Sequence, residues 1–80
     1  MKLYSPDGKV IAELRNRFTY HAPKADQPER YERIRASILD LAITLSSHCP
    51  PSRELSTALT HLDAAMMFAN AAIARNENVG

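Results

Sequence analysis

The sequence predicts an all-α protein, an antiparallel hairpin of two long helices with a short N-terminal helical arm, assembled as a homo-oligomer. Two segments carry apolar residues at the spacing of three and four that is typical of amphipathic helices. Pro50 and Pro51 separate them. The chain has 80 residues and one cysteine, Cys49, so a small core cannot be reinforced by an intrachain disulfide. We divide this single domain into an arm (1–25), a hairpin (26–77) and a tail (78–80).

The first long helix is predicted to begin at Asp26. The run D-Q-P-E at 26–29 offers a capping aspartate, a proline in the first turn and Glu29 as the capping-box partner. The helix should end near Ser47 or His48, because the two prolines cannot continue it. Its apolar stripe consists of Tyr31, Ile34, Ile38, Leu41, Ala42 and Leu45.

The second long helix is predicted to begin after a capping Ser52, with Glu54 near its positive end, and to run to about Arg75. A connection this short returns it against the first helix as an αα-hairpin. Its apolar stripe consists of Leu55, Leu59, Leu62, Met66, Ala69 and Ile73.

Three consecutive large apolar residues, Met66, Met67 and Phe68, indicate self-association. Side chains of consecutive helical residues point about 100° apart, so one neighbouring helix cannot cover all three. A helix from another subunit is the simplest recipient of the spare face. The alternative is that the arm folds back and covers it.

The arm itself begins with a turn signal, S-P-D-G at 5–8. Val10, Ile11 and Leu14 then predict a short helix of about eight residues, although the same run is compatible with a strand. We favour the helix.

Several function classes are disfavoured by composition. The chain shows no secretory signal and no apolar run of the ~18 residues that a membrane span needs, and its free thiol favours the cytosol. A net charge of +1 argues against general binding of duplex nucleic acid. We expect no metal site, no cofactor and no catalytic residue, because the pair His48 and Cys49 is more typical of a loop and His61 of a helix flank.

The segment RNRFTYHAPK at 15–24 is the best candidate for a binding site. An aromatic ring can stack on a nucleobase, and an arginine can bind a phosphate through two parallel hydrogen bonds. Phe18 and Tyr20 among basic residues therefore indicate a nucleotide pocket. Alternatively, Phe18 plugs the core, Tyr31 packs between helices and Arg33 pairs with Glu29 or Glu32. The basic residues concerned are Arg15, Arg17, His21, Lys24, Arg33 and Arg35.

Three runs occur in a specific order: FTYHAPKADQPERYERIR at 18–35, CPPSRELSTAL at 49–59 and AMMFANAAIARNE at 65–77. Together they resemble the phage anti-CBASS cyclic-nucleotide sponge family, whose hairpin domain also occurs in Thoeris anti-defence sponges. The resemblance implies a non-enzymatic protein, acting in the host bacterial cytoplasm, that sequesters cyclic dinucleotides such as 3′,3′-cyclic GMP-AMP. It also implies a homohexamer with ligand pockets between subunits and, in some members, separate cyclic trinucleotide sites.

Residue roles follow from the resemblance position by position. Tyr20 matches the tyrosine that stacks on a base, with His21 and Pro23 shaping the same turn. Arg35 matches a phosphate-binding basic residue, with Lys24 and Arg33 as neighbours. Near the end of the second helix, Arg75 matches a basic residue of the trinucleotide site. Met66, Asn70 and Asn76 lie on the same stretch and are candidates to line a pocket, although Met66 at helical spacing is more typical of the core.

Two rival functions remain at this point. One is a sponge for cyclic ADP-ribose isomers, although residues 1–17 are too short for the additional domain expected there. The other is a helical oligomeric adaptor in which the arm grips a protein.

Overall fold

A computed structural model of the chain describes residues 3–77, which form three α-helices and, over that range, no β-strand. They are α1 (Gly8–Phe18), α2 (Gln27–His48) and α3 (Arg53–Asn76). The helical arm and the antiparallel hairpin are thus confirmed, and the strand alternative for the arm is wrong. The predicted tail at 78–80 lies outside the described residues, as do residues 1 and 2.

Helix α1 begins where the sequence indicated a turn. Asp7 is its N-cap, and the Asp7 carboxylate accepts a hydrogen bond of 2.9 Å from the backbone N–H of Val10. The turn signal was therefore a helix start, and α1 is longer than predicted, at 11 residues. Its C-cap, Thr19, has an extended backbone that leads towards the hairpin.

Helix α2 begins as predicted, but the capping box that we expected at Asp26 and Glu29 is wrong. The Asp26 side chain makes no capping hydrogen bond, since its backbone (φ −88°, ψ 6°) is not extended as an N-cap requires. Asp26 instead pairs with Arg30 at 3.3 Å. The chain turns at Ala25, which has a positive φ of 48°. The Gln27 side-chain oxygen accepts a hydrogen bond of 2.9 Å from the backbone N–H of Lys24.

The hairpin turn agrees with the sequence prediction. Helix α2 ends at His48, and the Cys49 N–H donates to the Leu45 carbonyl at 2.9 Å. The Ser52 hydroxyl accepts the Leu55 N–H at 3.1 Å, so Ser52 caps α3. Cys49 is an exposed free thiol in this turn.

The two long helices pack along one apolar seam. Most predicted stripe residues are half-buried there, whereas Leu41 is 44% exposed and lies off the seam, contrary to its assignment to the stripe. Within residues 3–77, no apolar side chain is fully buried. The half-buried stripe residues are Tyr31, Ile34, Ile38, Ala42, Leu45, Leu55, Leu59, Leu62, Met66, Ala69 and Ile73.

The spare face of α3 is open. Met67 is 62% exposed and Phe68 is 71% exposed, so the arm does not cover them and that alternative is wrong. Phe18 is also exposed, which excludes it as a core plug. Over the described residues, no helix is long and apolar enough to cross a membrane.

A single chain exposes more surface than a compact monomer of the same mass. The accessible area is 6665 Å², roughly 1,900 Å² above the ~4,800 Å² expected for a compact monomer of this mass. A standard interface removes about 800 Å² from each partner. The radius of gyration, 17.5 Å, also exceeds the ~12 Å expected for a compact chain. The surplus of accessible area is large enough for more than one interface per chain. Self-association stays a prediction.

A charge placed on the open face of α3 should break the predicted assembly. We expect Phe68→Glu to lower the particle mass measured by light scattering, because burying an unpaired carboxylate in an apolar interface is costly. Ser56→Glu adds the same charge at an exposed polar position of α3 and should leave the mass unchanged. A wild-type protein that is monomeric at every concentration tested would refute self-association.

Candidate functional site

A cleft of about 400 Å³ lies where the arm meets the open end of the hairpin. The volume is in the range of small-molecule sites. Three parts of the chain form its walls: the end of α1 with the segment that follows it, the first turns of α2 and the last turns of α3. The lining residues are Arg17, Thr19, Tyr20, His21, Pro23, Tyr31, Arg35, Asn70, Ala71, Ala74 and Arg75.

Most of the residues predicted for the site line this one cleft. They come from segments far apart in the chain, which the hairpin topology brings to the same end of the molecule. Arg75, which the resemblance assigned to a separate trinucleotide site, lies beside the dinucleotide candidates within a single chain. The predicted residues that line the cleft are Tyr20, His21, Pro23, Arg35, Asn70 and Arg75.

Two of the predicted basic residues lie away from the cleft lining. Arg33 is two residues before Arg35, and a step of two turns a side chain by about 200°, to the other side of the helix. Lys24 uses its backbone N–H to bind Gln27. Glu32, a partner that we considered for Arg33, instead pairs with Arg35 at 2.7 Å.

Met66 and Asn76 also lie elsewhere. Met66 lines an apolar groove between α2 and α3 that meets the cleft at Arg35. The Asn76 side chain donates to the Ala72 carbonyl at 2.8 Å, one turn back in its own helix.

The cleft is also lined by residues to which the resemblance assigns no role. Arg17 belongs to the aromatic-basic segment, and its guanidinium lies 5.4 Å from the centre of the Phe18 ring. Tyr31, which we considered as a packing ring, is half-buried and lines the cleft one turn before Arg35. Tyr31 and Arg35 are four residues apart, and this spacing was the available signal for their shared face. Thr19, Ala71 and Ala74 complete the set.

The cleft is cationic. Arg17, Arg35 and Arg75 line it, and no carboxylate is among the described residues that do. The Arg35–Glu32 pair is solvent-exposed, and such pairs are weak, so an anion can compete for Arg35. Two tyrosine rings, Tyr20 and Tyr31, stand among these guanidinium groups.

An unpaired polar atom marks the α3 wall. The side-chain oxygen of Asn70 is buried and has no hydrogen-bond partner within the described residues. A buried acceptor left unpaired costs about 1–3 kcal/mol. The oxygen would gain a partner only if this wall rearranges around a ligand or a second subunit.

A polar clasp holds the α2 and α3 walls together at the open end. Arg30 donates to both carboxylate oxygens of Glu77, with Nη1 at 2.9 Å from Oε2. Gln27, the one buried polar residue of the described chain, donates to the same carboxylate at 3.3 Å. These bonds from Arg30 and then Gln27 lower the pKa of Glu77 from its usual value of 4.5 to about 2. The hydrogen bond to Glu77 raises the pKa of Arg30 above its ordinary value.

The fold and the cleft define a small helical-hairpin protein with an aromatic, cationic binding site. A model of one protein family, described as Acb2/Tad1, hairpin domain, matches residues 11–74. The chain belongs to this family, the anti-CBASS and anti-Thoeris sponges. Family membership implies a sponge-type anti-defence function, in which a ligand is sequestered.

The matched region begins at Ile11, inside α1, whereas the resemblance starts at residue 18. Comparisons with curated proteins and with solved structures give no match.

The clasp predicts that the stability of the folded chain falls as the pH is lowered. In the unfolded chain Glu77 takes up a proton near pH 4.5, but in the folded chain only near pH 2. The ionised Glu77 carboxylate therefore stabilises the folded chain fully above about pH 4.5. This contribution to the free energy of unfolding declines as the pH falls and is lost by about pH 2. Glu77→Gln should lower the Tm at pH 6, and the difference from wild type should vanish near pH 2.

Thermal unfolding followed by circular dichroism at several pH values measures this difference. Glu13→Gln removes an exposed carboxylate from α1 and serves as the control, with no comparable loss of Tm at pH 6. A Tm difference for Glu77→Gln that is constant from pH 6 to pH 2 would contradict the assignment.

Proposed function

We propose that this protein sequesters the cyclic dinucleotide messengers of bacterial CBASS defence, and cyclic trinucleotides at sites between subunits, without cleaving them. The effector that the messenger should activate then stays inactive. The observation that supports this proposal best is the combination, in one cleft, of the rings of Tyr20 and Tyr31 with the guanidinium groups of Arg17, Arg35 and Arg75.

The chemistry of the ligand fits that combination. A cyclic dinucleotide presents two bases and two phosphates. Stacking of a base on an aromatic ring contributes about 1–3 kcal/mol, and arginine binds phosphate oxygens through two parallel hydrogen bonds. If ligand binding opens the α3 wall, the unpaired oxygen of Asn70 would accept an N–H from a base edge. Tyr20 is 83% exposed, so a base has access to its ring.

Self-association completes the proposal. The cleft is open to solvent, and the exposed Met67 and Phe68 lie about one turn before Ala71 on the same helix. A second chain that covers this face would also stand next to the cleft. The resemblance implies a homohexamer, and a surface surplus greater than one standard interface is consistent with an assembly in which each chain has several neighbours.

Sequestration requires binding alone. A sponge present in excess lowers the free concentration of its ligand without turnover, and the residence time of the ligand is set by koff. Such a protein acts where the messenger is made, which places it in the host bacterial cytoplasm.

A second candidate ligand follows from the family itself, because the same hairpin domain occurs in anti-Thoeris sponges. A cyclic ADP-ribose isomer also combines an aromatic base with two phosphates. Titration with each class of messenger separates the two functions.

Isothermal titration calorimetry with 3′,3′-cyclic GMP-AMP tests the proposal. Tyr20→Ala should weaken binding by roughly 5- to 150-fold through loss of one stacked base. Arg35→Ala should weaken it at least tenfold through loss of a charge-assisted phosphate contact. The controls are Tyr4→Ala and Arg53→Ala, which remove an exposed tyrosine and an exposed arginine that do not line the cleft.

Two results would contradict the proposal. The first is a folded wild-type oligomer that binds no cyclic di- or trinucleotide. The second is messenger recovered in cleaved form after the complex is heated, since sequestration returns it intact.

A further inference from the structure

The arm is fastened to the hairpin beside the cleft by a hydrogen bond from Asn16. The Asn16 side-chain N–H donates to the backbone carbonyl of Arg75 at 3.0 Å, across 59 positions of sequence, and the bond is partly buried. Arg75 lies in the last turn of α3, where backbone carbonyl groups have no N–H partner within the helix. Asn16 therefore caps the C-terminus of α3 from another part of the chain.

A second bond joins the same residue to the segment that follows α1. The His21 Nε2 lies 2.7 Å from the Asn16 carbonyl oxygen. A carbonyl only accepts, so Nε2 carries the hydrogen in this contact. Asn16 is in the last turn of α1, and His21 thus caps α1 as Asn16 caps α3.

These two bonds hold both ends of the short segment that carries Tyr20. Tyr20 directly precedes His21, and its own ring is 83% exposed, so packing does not fix its position. Phe18, on the other side of Thr19, is 76% exposed and does not anchor the segment either. Asn16 serves both bonds, one through its side chain and one through its backbone.

We propose that Asn16 is a positioning residue of the ligand cleft. It is not among the residues that line the cleft. It acts by joining the arm to the end of α3, which sets the position of Tyr20 against the α2 and α3 walls. This role rests on the proposed function, because it assumes that the cleft is where the ligand binds.

The test uses Asn16→Asp in the full-length protein. The carboxylate cannot donate to the Arg75 carbonyl and repels it. Without ligand, hydrogen exchange in α1 and residues 19–21 should be several times faster than in wild type, with exchange along the α2–α3 seam and the particle mass unchanged. Binding of 3′,3′-cyclic GMP-AMP should weaken about tenfold or more. Asn16→Ala removes the donor without adding charge and should weaken binding about two- to tenfold.

The matched control is Ala12→Asp, which adds the same charge to an exposed position of α1 one turn earlier. It should leave both exchange and binding close to wild type. A double-mutant cycle with Tyr20→Leu separates positioning from a general effect on folding. If Asn16 acts through Tyr20, Asn16→Asp should cost much less affinity in the Tyr20→Leu background.

The inference is overturned if wild type binds the ligand while Asn16→Asp and Asn16→Ala bind as tightly. It is also overturned if arm exchange is unchanged in both variants, or if Asn16→Asp costs the same affinity with and without Tyr20. A wild type that binds no messenger would overturn the proposed function first, and the positioning role with it.

Discussion

The packing of α2 against α3 is the interaction on which the other features of the molecule depend. Each helix contributes one apolar stripe, and the short Pro50–Pro51 turn brings the two stripes together. Two helices have no third layer to cover the outer edges of their seam. This explains why its residues are only half-buried and why Met67 and Phe68 remain exposed. The hairpin is thus a scaffold whose burial is incomplete in one chain.

The open end of the seam is organised by polar groups. Helix ends present carbonyl and N–H groups without intrahelical partners, and side chains from other segments satisfy several of them. Asn16 binds the end of α3, and Arg30 with Gln27 binds Glu77 just beyond it. These contacts join the arm, α2 and α3 around one cleft. Since they are polar and partly exposed, they respond to pH and to charge substitutions, which the apolar seam does not.

The same end of the molecule combines features suited to sequestering an anion. Guanidinium groups and tyrosine rings line the cleft, and a buried amide oxygen of Asn70 lacks a partner within the described chain. The exposed apolar face of α3 continues from this wall. A neighbouring chain on that face, as proposed above, would lie next to the cleft.

Local patterns in the sequence were sufficient to predict the helices and several of the residues that line the candidate cleft. The stripes, the prolines and the Ser52 cap determine the hairpin, because they depend on contacts within a few residues. The motif around Tyr20 and Arg35 indicated an aromatic, basic pocket. The capping box at Asp26 failed because the backbone there follows Ala25 into a nearly helical conformation that turns the carboxylate away from its expected partner.

Only the tertiary structure decided which side chains meet. Arg33 and Arg35 are equally basic in the sequence, but a rotation of about 200° between them puts only Arg35 in the cleft. Asn16 and Arg75, or Arg30 and Glu77, are separated by most of the chain, and no periodic pattern links them. The sequence by itself determined the helices and their apolar faces through local physics. The register of the hairpin determined the cleft, because contacts between distant residues exist only once the helices have packed.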